Sequence, residues 1–338
     1  MSAPRAHGAF IHPVADALCV GGLLSLAALL LVRDPGAAWY RAAVPFLSLF
    51  LNMAHFSAST VRLYGRTGAG ESAPAFTYLG PLAALAGVSA AIALAPWCGR
   101  AVNALYMTWS PWHYSLQAYG LCVLYAHRAG LPPDAGESRA LKAAALFPFA
   151  LSLMSPVPSN GFLDFIVSPE WAARHLPLYE AYAATRRALS VVAVLLPLAL
   201  FVRLRAKGRA FPFLIPLVLV SNAAWLAVNQ TSFDRWWYLV SAAHGLQYLF
   251  VVTTVHAREK SAAEGGVAWP HALRFYGACL LLSYALWRCL PYAYGWLGLG
   301  YAESLLLVIA AINLHHFVAD AYLWSVRSDQ RAAQAVLL

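Results

Sequence analysis

Apolar runs of about twenty residues recur along the chain, separated by short polar or basic segments. A helix of this length crosses roughly 30 Å of hydrocarbon. In lipid only helices and closed barrels satisfy the backbone, and continuous apolar runs do not fit the alternation of a barrel. The pattern therefore predicts an all-α, polytopic transmembrane helix bundle of about ten spans, over residues 11–32, 43–64, 75–96, 101–127, 141–157, 188–205, 211–229, 236–257, 270–290 and 302–326.

The composition supports this interpretation, because 61% of the residues are hydrophobic and only 11% are charged. Soluble domains carry about a quarter charged residues. The net charge of +9 does not indicate a nucleic-acid partner, since the arginines lie between apolar runs, where they orient spans. With the N-terminus inside, the inner connections hold fifteen of the 23 Lys and Arg residues, which predicts that both termini are cytoplasmic.

The chain shows no separate soluble domain, and residues 1–338 are predicted to form one transmembrane helical domain. The longest polar connection, 158–187, mixes aromatic and acidic residues and is predicted to cap the outer membrane surface. Arg far outnumbers Lys, and Ala and Leu dominate, as in bacteria with GC-rich genomes. We therefore expect a multi-pass protein of the bacterial inner (cytoplasmic) membrane, with membrane lipids as its surroundings and an oligomeric state left open.

Histidines lie deep inside four of the predicted spans, the second, fourth, eighth and tenth, where ionisable residues are rare. In this topology the four helices run parallel, and their histidines precede the closing basic residues by eleven to fifteen positions. At 1.5 Å per residue these depths agree within roughly 6 Å, which predicts one histidine layer near mid-membrane. The layer contains His55, His113, His244, His315 and His316.

Imidazole is the commonest side-chain ligand of transition metals. A single buried histidine is more often a hydrogen-bonded core residue, but five at matched depth favour a metal or haem centre, with all five as candidate ligands. Polar residues at helical spacing accompany them. Gln117, Gln247 and Asp320 are the candidate catalytic or proton-donating residues, and Asn52 and Asn313 are candidates to orient the rings.

A second polar group lies nearer the cytoplasmic ends of the spans. His12 and Asp16 are four residues apart at the start of the first span, and His256 ends the eighth. These residues either pair with neighbouring charges at the interface, or serve as a proton route or as further ligands.

Four stretches of the chain resemble a group of uncharacterised bacterial multi-pass membrane proteins. The resemblance is carried by Asn52-Met-Ala-His55-Phe, Trp112-His113-Tyr with Gln117-Ala-Tyr-Gly120, His244-Gly-Leu-Gln247-Tyr-Leu and Asn313-Leu-His315-His316-Phe-Val-Ala-Asp320. It implies no particular activity, but it favours treating these stretches as one functional unit.

A metal in the membrane interior indicates redox or oxygen chemistry on a lipid-soluble substrate, because hydrolysis would need a supply of water. We expect a non-haem iron or copper oxidoreductase or oxygenase, with iron favoured. Haem b is the first alternative, although one or two axial histidines would leave three without a role. A transporter or proton-coupled carrier with a histidine-lined midplane site is the second. An assembly factor or structural subunit, with the histidines in a hydrogen-bond network, is the third.

Overall fold

The computed structural model describes residues 9–32, 34, 36–66, 75–94, 97–153, 169–229, 233–296 and 298–323. Helices dominate these ranges, which contain no strand, so the predicted all-α class is confirmed. Each of the ten apolar stretches coincides with a helix or with consecutive helices. The first part of the predicted cap, 158–168, lies outside the described residues, and 169–187 is largely helical.

The α-helices are α1 (Pro13–Cys19), α2 (Leu23–Leu31), α3 (Ala38–Leu47), α4 (Ala54–Arg66), α5 (Ala75–Leu94), α6 (Trp97–Arg128), α7 (Ala135–Leu153), α8 (Pro169–Arg174), α9 (Leu176–Ala206), α10 (Leu214–Asn229), α11 (Phe233–Glu264), α12 (Ala268–Tyr284), α13 (Leu290–Gly295) and α14 (Tyr301–Leu323). Two π-helical segments join neighbouring helices without a break: π1 (Ser48–Met53) between α3 and α4, and π2 (Ala285–Cys289) between α12 and α13.

Four helical segments in the described part of the chain are long and apolar enough to cross a membrane. They are Ala38–Gly65, Leu176–Ala206, Trp236–Glu264 and Tyr301–Ala321. The pair α1 and α2, bent by 47° at its junction, makes a fifth if both helices belong to one span. The count of ten spans and the orientation of the termini stay predictions.

The chain divides into two compact units, and that both belong to one transmembrane domain stays a prediction. Unit 1 comprises Met1–Ala42 and Met107–Gln247, and unit 2 comprises Ala43–Tyr106 and Tyr248–Leu338. Helices α3, α6 and α11 contribute residues to both units. Hydrophobic patterning identifies the helices but not which of them pack together, so the division was not visible in the sequence.

In unit 1, α7, α9 and α10 pack against one another around Leu151, Ala193 and Ala223. Helix α10 also packs against α2, beside the junction of the bent pair. At this junction Gly22 has a φ of 84°, a left-handed conformation that glycine adopts without strain.

In unit 2, α4 packs closely against α12 and α14. The core contains the small side chains Ala54, Ala58 and Cys279 together with Val252 of α11 and Phe275 of α12. Small residues let helix backbones approach closely. This packing determines how α4 is rotated, and therefore where its histidine lies.

Candidate metal centre

His55 of α4 and His316 of α14 form a buried pair in unit 2. Their ring centroids are 4.8 Å apart, the ring planes are almost perpendicular at 88°, and both side chains are fully buried. One ring nitrogen of His55 lies within 4.8 Å of one ring nitrogen of His316. Two ligands of one ion are about 3 to 3.4 Å apart, so small rotations of the rings bring this pair to that spacing.

Ser59, one turn after His55, determines which nitrogen of His316 carries the proton. Its Oγ donates to the backbone oxygen of Phe56 at 2.8 Å and lies 2.8 Å from Nδ1 of His316. A carbonyl only accepts, and a serine hydroxyl has one proton, so when that proton is donated to Phe56, Nδ1 of His316 donates to Ser59. Nε2 of His316 then carries the lone pair that binds metals.

Asp320 lies one turn after His316 on α14, and its Oδ2 is 3.7 Å from Nε2 of that histidine. Its Oδ1 accepts a 2.6 Å hydrogen bond from the phenol of Tyr248 on α11. Both side chains of this His–Asp pair are buried. A lone pair and a carboxylate oxygen therefore face each other in a site of low dielectric, an arrangement that a cation between them stabilises.

His315, the other histidine of the adjacent pair, lies against Tyr64 of α4. Its Nε2 is 3.3 Å from the phenol oxygen of Tyr64, and the two rings are parallel at a centroid distance of 6.0 Å. Successive residues of a helix point about 100° apart, so His315 points in a different direction from His316. The role of His315 as a ligand stays a prediction, and its observed contact is with Tyr64.

His113 of α6 and His244 of α11 form a second pair, in unit 1. Their ring centroids are 5.1 Å apart at an angle of 79°. The ring of Tyr114 lies 4.1 Å from that of His244, and its hydroxyl lies 3.3 Å from that of Ser241. The pair is thus enclosed by aromatic and hydroxyl side chains of the same two helices.

Gln117 and Gln247, the predicted proton donors on these helices, are hydrogen-bonded to each other. Nε2 of Gln117 donates to Oε1 of Gln247 at 3.3 Å and to the backbone oxygen of His244 at 3.4 Å. Nε2 of Gln247 donates to the backbone oxygen of Val20 at 2.5 Å, at the α1–α2 junction.

His12 and Asp16 close the first turn of α1. Nδ1 of His12 accepts from the backbone N–H of Val14 at 3.3 Å. Asp16 is fully buried and accepts from backbone N–H groups of the preceding turn and from the phenol of Tyr125 at 2.9 Å. These contacts are those of helix capping, a role that was not among those predicted from the sequence.

The other predicted polar residues belong to unit 2. His256 stacks on Phe275 at 4.3 Å. Asn313 donates to the backbone oxygen of Ile309 on its own helix at 2.7 Å. The carbonyl oxygens of Asn313 and Asn52 are buried and accept no hydrogen bond among the residues that the structure describes.

The structure thus brings together four of the five predicted ligands in two pairs, one in each unit. That all five share one layer stays a prediction. Sequence reasoning missed Tyr248 and Tyr114, because tyrosine in a span suggests an interfacial anchor. The available signal was spacing, since Tyr248 follows His244 by four residues and Tyr114 directly follows His113.

His316 has two candidate metal donors beside it, the imidazole of His55 and the carboxylate of Asp320. Two imidazoles and one carboxylate are the donor types of non-haem iron(II) sites with open positions. Two axial imidazoles of one haem would have centroids more than about 6 Å apart, because each nitrogen lies about 2 Å from the iron. Neither the 4.8 Å pair nor the 5.1 Å pair leaves room for a porphyrin between its rings.

Comparisons of the chain with protein-family models, with curated proteins and with solved structures found no match. The functional argument therefore depends on the residues and their geometry.

Proposed function

We propose that the chain is an integral membrane metalloprotein of the bacterial cytoplasmic membrane, and that it is a non-haem iron oxidoreductase acting on a lipid-soluble substrate. The observation that supports this most directly is buried His316, whose ring lies 4.8 Å from that of His55 and whose Nε2 lies 3.7 Å from a carboxylate oxygen of Asp320.

The membrane assignment is supported by apolar side chains on the surface of the long helices. On α9, Val191, Leu195 and Val202 each expose more than half of their area. A contiguous apolar surface is unfavourable in water and favourable against lipid tails. We extend this to ten spans with both termini cytoplasmic, which the distribution of Arg and Lys favours.

Iron is favoured because the donor set mixes two imidazoles with one carboxylate. Such a set leaves coordination positions for dioxygen and for substrate, and bound iron would supply redox chemistry there. Ser59 would keep His316 in the tautomer that binds through Nε2, and Tyr248 would hold Asp320 in place. The buried, mostly apolar surroundings would exclude water and admit a lipid-soluble molecule.

The experiment is to purify the full chain in detergent, measure its bound metals and record its visible spectrum. We expect iron without a Soret band. His55→Ala and His316→Ala should lose most of the metal while keeping the elution volume and helicity of the wild type. His315→Ala is the matched control, because its ring contacts Tyr64, and it should retain the metal.

Three results would contradict the proposal: protein that binds no iron after anaerobic reconstitution, equal metal retention by His316→Ala, or a Soret band, which would favour haem. The His113 and His244 pair is tested by the same assay. Loss of metal from variants of this pair as well would show that it also binds an ion.

A carrier is the second candidate, favoured by the bent pair α1 and α2. Interrupted helices surround the substrate sites of many transporters. Here, however, the backbone oxygens of Val20 and Gly21 already accept hydrogen bonds from Gln247 and Ser221. Solute uptake by proteoliposomes containing metal-free protein would favour the carrier over the metalloprotein.

A further inference from the structure

A chain of side-chain amides in unit 1 begins at the α1–α2 junction. The backbone oxygen of Val20 can only accept a hydrogen bond, so the group of Gln247 that faces it must be the NH₂. Oε1 of Gln247 therefore faces the other way and accepts from Nε2 of Gln117. The orientation of the first amide is thus determined by the main chain.

The orientation of Gln117 follows from that of Gln247. Its Nε2 donates to two acceptors, Oε1 of Gln247 and the backbone oxygen of His244. If the amide were rotated by 180°, its oxygen would face these two acceptor oxygens, which cannot donate. Oε1 of Gln117 must therefore point away from Gln247 and from the backbone oxygen of His244. This oxygen is buried and accepts no hydrogen bond from any residue that the structure describes. Such a group costs about 1–3 kcal/mol unless a donor reaches it.

The surroundings of Gln117 indicate the kind of donor. His113 and Tyr114 precede it by four and three residues on α6, so the three side chains share a face of the helix. The ring of Tyr114 lies 4.1 Å from that of His244, tilted by 32°, and it stacks on Trp237 at 6.3 Å with an interplanar angle of 29°. The acceptor therefore belongs to a helix face rich in flat rings, which favour contact with another flat ring.

We propose that Gln117 Oε1 accepts a hydrogen bond from the hydroxyl group of a lipid-soluble phenol or hydroquinone that packs against Tyr114 and His113. A metal cation is a poorer fit, because hard cations collect several oxygen ligands. The other oxygens of the amide chain, Gln247 Oε1 and Val20 O, already accept hydrogen bonds. One remaining acceptor matches one hydroxyl donor. This site is independent of the proposed iron centre.

The test compares two ligands that differ only in the donor. The full chain in lipid nanodiscs is titrated with 4-hexylphenol and with its methyl ether, 4-hexylanisole, and each affinity is corrected for partition into empty nanodiscs. One hydrogen bond is worth about 5- to 10-fold in affinity, so the wild type should prefer the phenol by that factor. Gln117→Met, which keeps the side-chain length and removes the acceptor, should abolish the preference.

Asn222→Leu is the matched control in unit 1. This buried amide donates to the backbone oxygen of Ala145 at 3.2 Å, and its Oδ1, like Oε1 of Gln117, accepts no hydrogen bond among the described residues. Its loss should leave the preference for phenol unchanged, which would show that the acceptor on the ring-lined face of α6, and not any buried amide oxygen, holds the ligand. If Gln117→Met does not fold, Gln247→Met replaces it, because it frees the Gln117 amide to rotate and should reduce the preference.

Equal affinity of wild type for the two ligands would overturn the proposal, as would a full preference in folded Gln117→Met. Iron content is measured on the same samples. Loss of the phenol preference with retained iron identifies this site separately from the metal centre, so the two proposals fail independently.

Discussion

The phenol of Tyr248 donates a 2.6 Å hydrogen bond to Asp320, joining α11 to α14 within unit 2. The other oxygen of this carboxylate faces Nε2 of His316. Tyr248 therefore holds the one acidic side chain of the proposed iron site in a fixed orientation. Partners that orient a ligand commonly change metal affinity 10- to 100-fold when removed.

Tyr248→Phe should accordingly weaken iron binding by about 10-fold or more while leaving the fold intact. The measurement is iron retained during titration with a chelator. Tyr276→Phe is the control, because Tyr276 donates to the backbone oxygen of Phe50 and is partly exposed. Equal iron retention by Tyr248→Phe and wild type would remove Asp320 from the set of ligands.

Ser59→Ala should also weaken iron binding, because Nδ1 of His316 would lose its acceptor and the other tautomer would become populated. Ser57→Ala on the same helix is its control. The hydroxyl of Ser57 lies 2.9 Å from that of Ser283, so its loss should cost about 1 kcal/mol of stability without changing iron affinity. Chelator titration and thermal unfolding separate the two effects, and equal iron affinities would contradict the tautomer assignment.

Gly22→Ala should destabilise the protein by about 2–4 kcal/mol, combining left-handed strain with overpacking. A Cβ at Gly22 would lie 2.5 Å from Oγ of Ser221. Gly130→Ala is the matched control, since Gly130 has a φ of 70° but no atom within 4 Å of the added Cβ. The thermal unfolding midpoints of the two variants are compared in detergent. A lower midpoint for Gly22→Ala than for Gly130→Ala reports the cost of the close contact between α10 and the α1–α2 junction, and equal midpoints would contradict that contact.

Arg209→Lys should lower stability by about 0.5–1 kcal/mol, because a lysine cannot reproduce a forked contact. Nε and Nη2 of Arg209 bond the two carboxylate oxygens of Glu137 at 2.7 and 2.9 Å, and Nη2 also donates to the backbone oxygen of Pro132. Arg139→Lys is the control, because Arg139 is exposed and its Nε donates to the backbone oxygen of Ala135 on the same helix, a single-acceptor contact that lysine can also make. A double-mutant cycle with Glu137→Gln should recover the pairwise energy, and a coupling near zero would contradict the prediction.

The positions of the helices were predictable because they depend on local information. An apolar run of sufficient length forms a helix wherever it lies in the chain, and all ten predicted stretches coincide with helices. The division into two units was not predictable in this way, since it depends on which helix faces fit together. The bend at Val20–Gly22 was missed because the apolar run continues through it.

The candidate site was predictable in its residues but not in its pairings. Ser59 follows His55 by four residues and so shares its helix face, yet its hydroxyl contacts His316 on α14. Spacing likewise related Asp320 to His316, while Tyr248, from a third helix, escaped notice.

By itself, therefore, the sequence determined an all-helical chain with histidines and amides inside apolar helices, because helix formation and helical spacing act over a few residues. Only the tertiary structure decided that His55 meets His316, that His113 meets His244, and that Nδ1 of His316 lies against the hydroxyl of Ser59. Those contacts join residues far apart in the chain, and they depend on the rotation and packing of whole helices.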